Sequence, residues 1–201
     1  MKNRIPTCRR RESRGALLPA ASVAGFGQSR ESLDVTGKLQ LHGKRAFGPV
    51  ALLSSAASAG MHHISDSPEE WGHGSAGYGR RLASTVARSG IRNGLAFGLD
   101  STLHQDSRYF RLGAGSFWSR SGHALRGAIL TRTDSGGETL STWRIGSAYG
   151  AAFLSNQWYP DRLNTVGLGS SQGSTTLALD LVRNLASEFW PEIKKKVLRK
   201  K

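Results

Sequence analysis

From Ala46 to Ser65 the chain carries no formally charged residue, and Phe47 to Met61 is apolar or small throughout. A membrane-crossing helix needs about 20 mostly apolar residues. This stretch barely reaches that length and its serines lower its hydrophobicity, so a spanning, a surface-lying and a buried helix all remain open. Behind it, Asp66-Ser67-Pro68-Glu69-Glu70-Trp71 reads as a helix start. Ser67 as N-cap, Pro68 at N1 and Glu70 at N3 form a capping box, and the acids suit the positive end of the helix dipole.

Gly77 to Asp106 carries a sharper pattern. Gly90, Gly94 and Gly98 recur every four residues, which on a helix makes one ridge without side chains. Arg81, Arg88 and Arg92 fall on roughly the opposite side. The expectation is a helix that docks its glycine ridge against another helix and turns its arginines to water, lipid phosphates or a partner. The small-xxx-small spacing recurs at Ala56/Gly60, Ala124/Ala128, Gly146/Gly150 and Gly169/Gly173. Several such pairs point to close helix contact of the kind common in membranes; the alternative is a soluble bundle rich in alanine and glycine. Further helices are predicted at Phe117–Thr131, Thr142–Gln157 and Ser174–Phe189. Asp134-Ser135-Gly136-Gly137 and Tyr159-Pro160-Asp161 carry turn chemistry. The five tryptophans sit near proposed helix ends, a placement that suits membrane interfaces and ordinary core edges alike. The uncharged stretch Leu163–Leu179 has no clear period and leaves strands open, but the repeated alternating segments of an outer-membrane barrel are missing.

Composition changes this picture in two ways. The 201 residues include 25 glycines, each disfavouring a helix interior by roughly 1 kcal/mol relative to alanine, so helical glycines need a packing reason. The formal net charge is +14, which implies attraction to lipid headgroups, nucleic acid or an acidic partner. Twenty of the 28 basic residues are arginine, and Lys194, Lys195 and Lys196 with Arg199, Lys200 and Lys201 crowd the end. The single cysteine, Cys8, excludes an intrachain disulfide and thiolate-type zinc or iron–sulfur sites. The first 30 residues read either as a weak secretory signal, with an apolar segment from Ala16 to Phe26 interrupted by Pro19, or as a disordered basic tail.

Two constellations offer chemistry. His62, His63, Asp66, Glu69, Glu70 and His73 are the densest set of metal-ligand types, although the capping role already accounts for the acids. His104 with Asp106 offers a general-base pair if a loop turns there; the plainer alternative is Asp106 pairing Arg108 or capping a turn. Gly169-Ser170-Ser171-Gln172-Gly173 has the outline of a nucleophile elbow without its context. Arginines interleaved with aromatics around Arg108–Trp118 fit single-stranded nucleic acid, but no recognised module accompanies them.

Several motifs resemble a family of uncharacterised bacterial proteins, common in acidobacteria. They are Asp66-Ser67-Pro68-Glu69-Glu70-Trp71-Gly72, Gly77-Tyr78-Gly79-Arg80-Arg81, Leu103 to Phe110, Tyr149 to Pro160, and Glu188-Phe189-Trp190-Pro191-Glu192-Ile193. The likeness covers about residues 38–200, with Ser107 where the family usually has proline. It implies an envelope location and a signal sequence; it supplies no activity and no catalytic residue.

The sequence is therefore read as a mainly α, glycine-rich helical bundle, membrane-associated or membrane-embedded. Residues 1–45 form a basic leader or linker, 46–193 the helical domain and 194–201 a basic tail. The expected task is structural or interactive at a bacterial envelope, with a metal protein or enzyme built on His62–His73 or His104–Asp106 as the alternative. Helix packing is assigned to Gly90, Gly94, Gly98, Gly146 and Gly150, and anionic-lipid contact to Arg81, Arg88, Arg92, Lys194, Lys195 and Lys196. Membrane lipids and further copies of the chain are the expected partners, nucleic acid is not, and no catalytic, metal-binding or cofactor-binding residue is assigned.

Overall fold

The computed structural model describes residues 31–198, so the signal-or-tail question for residues 1–30, and Arg199, Lys200 and Lys201, lie outside the described residues. The described chain is mainly helical. It runs α1 (Val35–Phe47), α2 (Pro49–Ile64), a 3-10 turn (Glu69–Trp71), α3 (Gly74–Thr102), β1 (Gln105–Asp106), α4 (Phe117–Ile129), β2 (Leu130–Thr133), β3 (Glu138–Leu140), α5 (Thr142–Asn156), a second 3-10 turn (Asp161–Leu163) and α6 (Val166–Leu198).

The predicted linker thus contains a helix. Asp34 caps α1, its carboxylate accepting from Gly37 N at 2.8 Å. Gly48 turns the chain to an extended conformation, and Pro49 at the first position opens α2 with φ already set. Helices α4 and α5 fall where predicted, but α4 ends two residues early. Leu130 turns extended and feeds a hairpin whose tip is the predicted Asp134–Gly137 turn, with Gly136 at φ +90°. The sheet is antiparallel in the order β1-β2-β3; Asp106 lies opposite Arg132, and Arg132 opposite Glu138. Leu163–Leu179 is a turn followed by helix. Helix α6 continues past Pro191, so Lys194–Lys196 are on a helix rather than in a tail.

The capping box does not form. Glu69–Trp71 is a three-residue 3-10 turn preceded by Pro68, with no side-chain cap bond, and α3 starts only at Gly74. The acids are used elsewhere: Arg162 meets Glu69 at 3.0 Å and Glu70 at 2.9 Å, tying this turn to the second one.

Helix α5 is the spine, packed against α3 on one side and α6 on the other. Its inward residues are small (Ser147, Ala148, Ala151, Ala152, Ser155), which brings the helices close. A Cβ on Gly146 would lie 2.8 Å from Leu99, and one on Gly150 2.9 Å from Leu95, both on α3. On α6, a Cβ on Gly169 would lie 2.6 Å from Phe153, and one on Gly173 would run into the ring of Tyr149. The three-member ridge of α3 behaves differently. A Cβ on Gly90 would lie 3.0 Å from Phe47, but Gly94 and Gly98 are exposed with no described atom within 4 Å of a Cβ. The predicted ridge does lie opposite the arginines, but it points outward.

Opposite signs are therefore expected for two chemically identical changes. Gly173→Ala must displace the half-buried ring of Tyr149 and should cost about 1–3 kcal/mol. Gly94→Ala meets nothing and should gain up to about 1 kcal/mol of helix propensity. Urea unfolding of the two variants decides it; a neutral Gly173→Ala with a destabilised Gly94→Ala would contradict this packing.

Candidate functional site

The interior is polar. Among the described residues the buried hydrophobic side chains are seven alanines and Trp143, with Pro68 beside them, whereas the largest fully buried side chains are headed by Arg81, Glu188, Asn156 and Asp100. Buried charge is tolerable only when paired and hydrogen-bonded, and each of these charges sits in a cluster.

The first cluster joins α1, α3 and β1. Lys38, His42 and Arg45 recur at helical spacing and share the inward face of α1. Lys38 Nζ donates to Asp134 Oδ2 at 2.7 Å and to the Asp100 carbonyl at 3.1 Å. His42 Nε2 lies 2.7 Å from Asp100 Oδ2, and Ser107 Oγ lies 3.2 Å from that same nitrogen. Arg45 donates to Ser107 Oγ at 3.2 Å and to its carbonyl at 3.1 Å. Serine, histidine and aspartate are thus together, but not as a relay. Nucleophilic activation needs the acid on one ring nitrogen and the serine on the other. Here both meet Nε2, while Nδ1 faces Asn93 Oδ1 at 3.4 Å. One nitrogen cannot hold a proton toward Asp100 and accept another from Ser107, so the three side chains are not arranged as that relay.

Neither sequence-predicted constellation assembles. His104 is exposed, at φ +51°, with its carbonyl accepting from Asp134 N at 2.8 Å. Asp106 instead caps a turn and pairs Arg108: it accepts from Arg108 N at 2.9 Å, Nε at 3.0 Å and Nη2 at 2.6 Å.

Two members of the histidine-rich set, His63 and Asp66, meet a buried cation, Arg81. Arg81, 1% exposed, donates to the carbonyls of Ser67 (3.1 Å), Pro68 (2.6 Å) and Gly72 (2.6 Å) and to Asp66 Oδ1 (3.1 Å). Its Nη1 lies 3.2 Å from His63 Nδ1, and Asp66 Oδ2 pairs His73 at 3.1 Å. His63 and Asp66 are thus engaged by a guanidinium. This corrects the lipid-facing role predicted for Arg81. Arg88 and Arg92 also turn to protein: Arg88 donates to Gln172 O and Thr176 Oγ1 on α6, both at 3.3 Å, and Arg92 pairs Asp180.

Two acids on α6 organise the rest. Glu188 accepts from Tyr109 Oη (2.8 Å), Leu112 N (3.1 Å), Gly113 N (2.9 Å) and Arg120 Nε (3.2 Å). Burial pushes its carboxyl up, but these donors outweigh that and hold it below the ordinary value. Tyr109 is correspondingly raised, by burial first and by Glu188 second. Asp180 is paired with Arg92 and lies 4.0 Å from Arg144 Nε. Arg144, itself buried, donates to Gly127 O at 3.0 Å and leaves Nε without a hydrogen-bond partner. Burial lowers its guanidinium; Asp180 opposes this, and Arg92 and Arg183 add to it. Arg45 is pushed down to about 10, first by burial and then by Arg183.

Sequence reasoning passed over Lys38, His42, Asp100, Asp180 and Glu188. A signal existed: Asp180, Asn184 and Glu188 are four apart, a polar row along one face of α6. Such a row reads by default as a solvent face, yet all three are buried. The opposite face of α6, Leu179, Val182, Ala186, Trp190, Ile193 and Val197, is exposed and apolar. On α2, Val50, Leu53, Ala57, Met61 and Ile64 are exposed opposite buried Ser55 and Ala59. Both helices are inverted relative to a water-facing bundle.

No family model, no curated protein and no solved structure matches the chain.

Proposed function

We infer that the protein works at a membrane surface of the bacterial envelope, in a structural or interaction role, through the apolar outer faces of α2, α4 and α6. The observation that carries this is the α2 stripe: Val50 is 81% exposed, Leu53 71%, Met61 73% and Ile64 88%. Soluble monomers rarely leave so continuous an apolar face to water. Each such side chain contributes roughly 1.5–3 kcal/mol when it leaves water. Among the described residues no helix is long and apolar enough to cross a membrane, so the stripe belongs at the headgroup–acyl boundary. A second exposed surface has the same character. Phe117 stacks on Phe189 at 5.2 Å, Trp118 and Trp190 project beside them, and Lys194–Lys196 follow on exposed turns of α6. Aromatics at headgroup level with lysines beyond are the usual interfacial pairing, each lysine worth about 1 kcal/mol near an anionic surface. The uncovered Gly94–Gly98 ridge of α3 is where a second copy would pack in this reading.

Flotation with vesicles containing phosphatidylglycerol tests it. At low salt the protein should float. Raising salt, or replacing Lys194–Lys196 by glutamine, should weaken binding severalfold without abolishing it, because charge is screened and apolar contact is not. Leu53→Glu with Met61→Glu should abolish it. Native protein that ignores these vesicles at low salt would sink the proposal, and a soluble oligomer with α2 covered would replace it.

A further inference from the structure

His63 stands at the C-terminal end of α2, where the chain turns toward α3. Its Nδ1 lies 3.2 Å from Arg81 Nη1, the nitrogen that also donates to the Gly72 carbonyl at 2.6 Å. A guanidinium carries donors only, so this contact requires a bare, accepting Nδ1 and leaves Nε2 to carry the ring proton. An imidazolium has two N–H donors and no acceptor. Protonation therefore sets N–H against N–H and brings a second positive charge onto a deeply buried arginine. Arg81 is also the common partner of Ser67, Pro68 and Asp66, so what displaces it acts on the whole junction between α2 and α3.

The groups around His63 come from α2, α3 and the junction itself. On α3, Tyr78 packs edge-on at 6.0 Å between ring centroids, and its hydroxyl donates to the Ala56 carbonyl at 3.3 Å. In the junction, His73 packs edge-on at 6.2 Å and pairs Asp66, the carboxylate that Arg81 also meets. Glu69 and Glu70 are taken by Arg162. On α2, His62 is held below its ordinary value of 6.5, by burial first and then by Arg81 and Arg88. The fold thus favours its neutral form, so its contribution is present above 6.5 and is lost as pH falls through the lower, folded value. His73 alone opposes this, since its protonated ring strengthens the pair with Asp66.

We propose that the junction between α2 and α3 is an acid-opened latch, in which protonation of His63 breaks its contact with Arg81 and loosens residues 66–73. The middle of α2 stays docked on α3 through buried Ser55 and Ala59. The latch acts within the fold and does not depend on the membrane reading.

Hydrogen exchange of the full chain, followed from about pH 8 to about pH 5 where imidazoles change charge and corrected for the intrinsic effect of pH, tests it. The amides of Ser67 and Gly72 donate to the His62 and Glu69 carbonyls at 2.9 and 3.0 Å. Their protection should fall at least about tenfold, the effect of losing one charged hydrogen bond, while that of α5 holds. His63→Asn keeps an acceptor and cannot titrate, so its protection should stay level over the same range. His73→Gln removes the opposing pair and should deepen the wild-type loss. Nitrogen NMR of the wild-type ring needs no variant: at about pH 8 the proton of His63 should sit on Nε2. An Nδ1–H tautomer, protection that ignores pH, or an equal loss in His63→Asn overturns the proposal.

Discussion

Replacing Glu188 by alanine is expected to destabilise the fold by about 3–5 kcal/mol, the usual consequence of breaking a buried ion pair from one side. Glu188 is 0% exposed, and its carboxylate gathers the loop between β1 and α4 onto α6 through Tyr109, Leu112, Gly113 and Arg120. Its removal leaves two backbone N–H groups without their acceptor and a largely buried guanidinium with Glu192, the Glu188 carbonyl and the Phe189 ring as its remaining partners. Glu188→Gln keeps the shape but brings an amide NH2 into a set in which Leu112 N, Gly113 N and Arg120 can only donate, so it should recover little. The pH dependence follows from the direction of the shift. The folded carboxyl lies below its ordinary value of 4.5, so its contribution is present above that value and is lost as pH falls through the lower, folded one. Urea midpoints at neutral pH and on the acid side of pH 4.5 should show a steeper loss for wild type than for Glu188→Gln. Equal acid slopes would remove Glu188 from the account of stability.

Arg81→Ala should be comparably severe, and Arg81→Lys nearly so. The planar fork of Arg81 reaches three carbonyls of the Ser67–Gly72 segment and the Asp66 carboxylate at once. An ammonium has three donors on a single point and cannot span them. Each buried acceptor left bare costs about 1–3 kcal/mol. Hydrogen exchange should rise first in residues 66–73, where Arg81 is the common partner. Vesicle binding by the fraction that remains folded should be unchanged, because a side chain this deeply buried does not meet lipid. Wild-type stability in Arg81→Lys would show that the cage contributes nothing.

The local rules were readable in the chain. The turn residues 134–137 make a turn, and α4 and α5 lie where their patterns place them, because caps and glycine act over a few residues. Gly146 and Gly150 mark a close approach because a missing side chain constrains whatever packs there. The face of α3 bearing Gly94 and Gly98 does lie opposite Arg81, Arg88 and Arg92, since periodicity alone sets that relation. Helix α1 was read as linker because Lys38, His42, Lys44 and Arg45 look like a solvated run, and β1 to β3 are too short to show a period. Ser67 had the outline of a cap, but Arg81, fourteen residues on, claims its carbonyl.

What periodicity could not supply is the sign of each face. A helix with polar and apolar sides satisfies the same pattern whether it turns one or the other inward. Here Asp180 and Glu188 answer arginines 88 and 68 residues away, and His42 answers Asp100 across 58. Only the tertiary structure brings these charges together. Once they are paired, the polar side of α1, α3 and α6 is satisfied inside, and the apolar sides of α2 and α6 are left facing out.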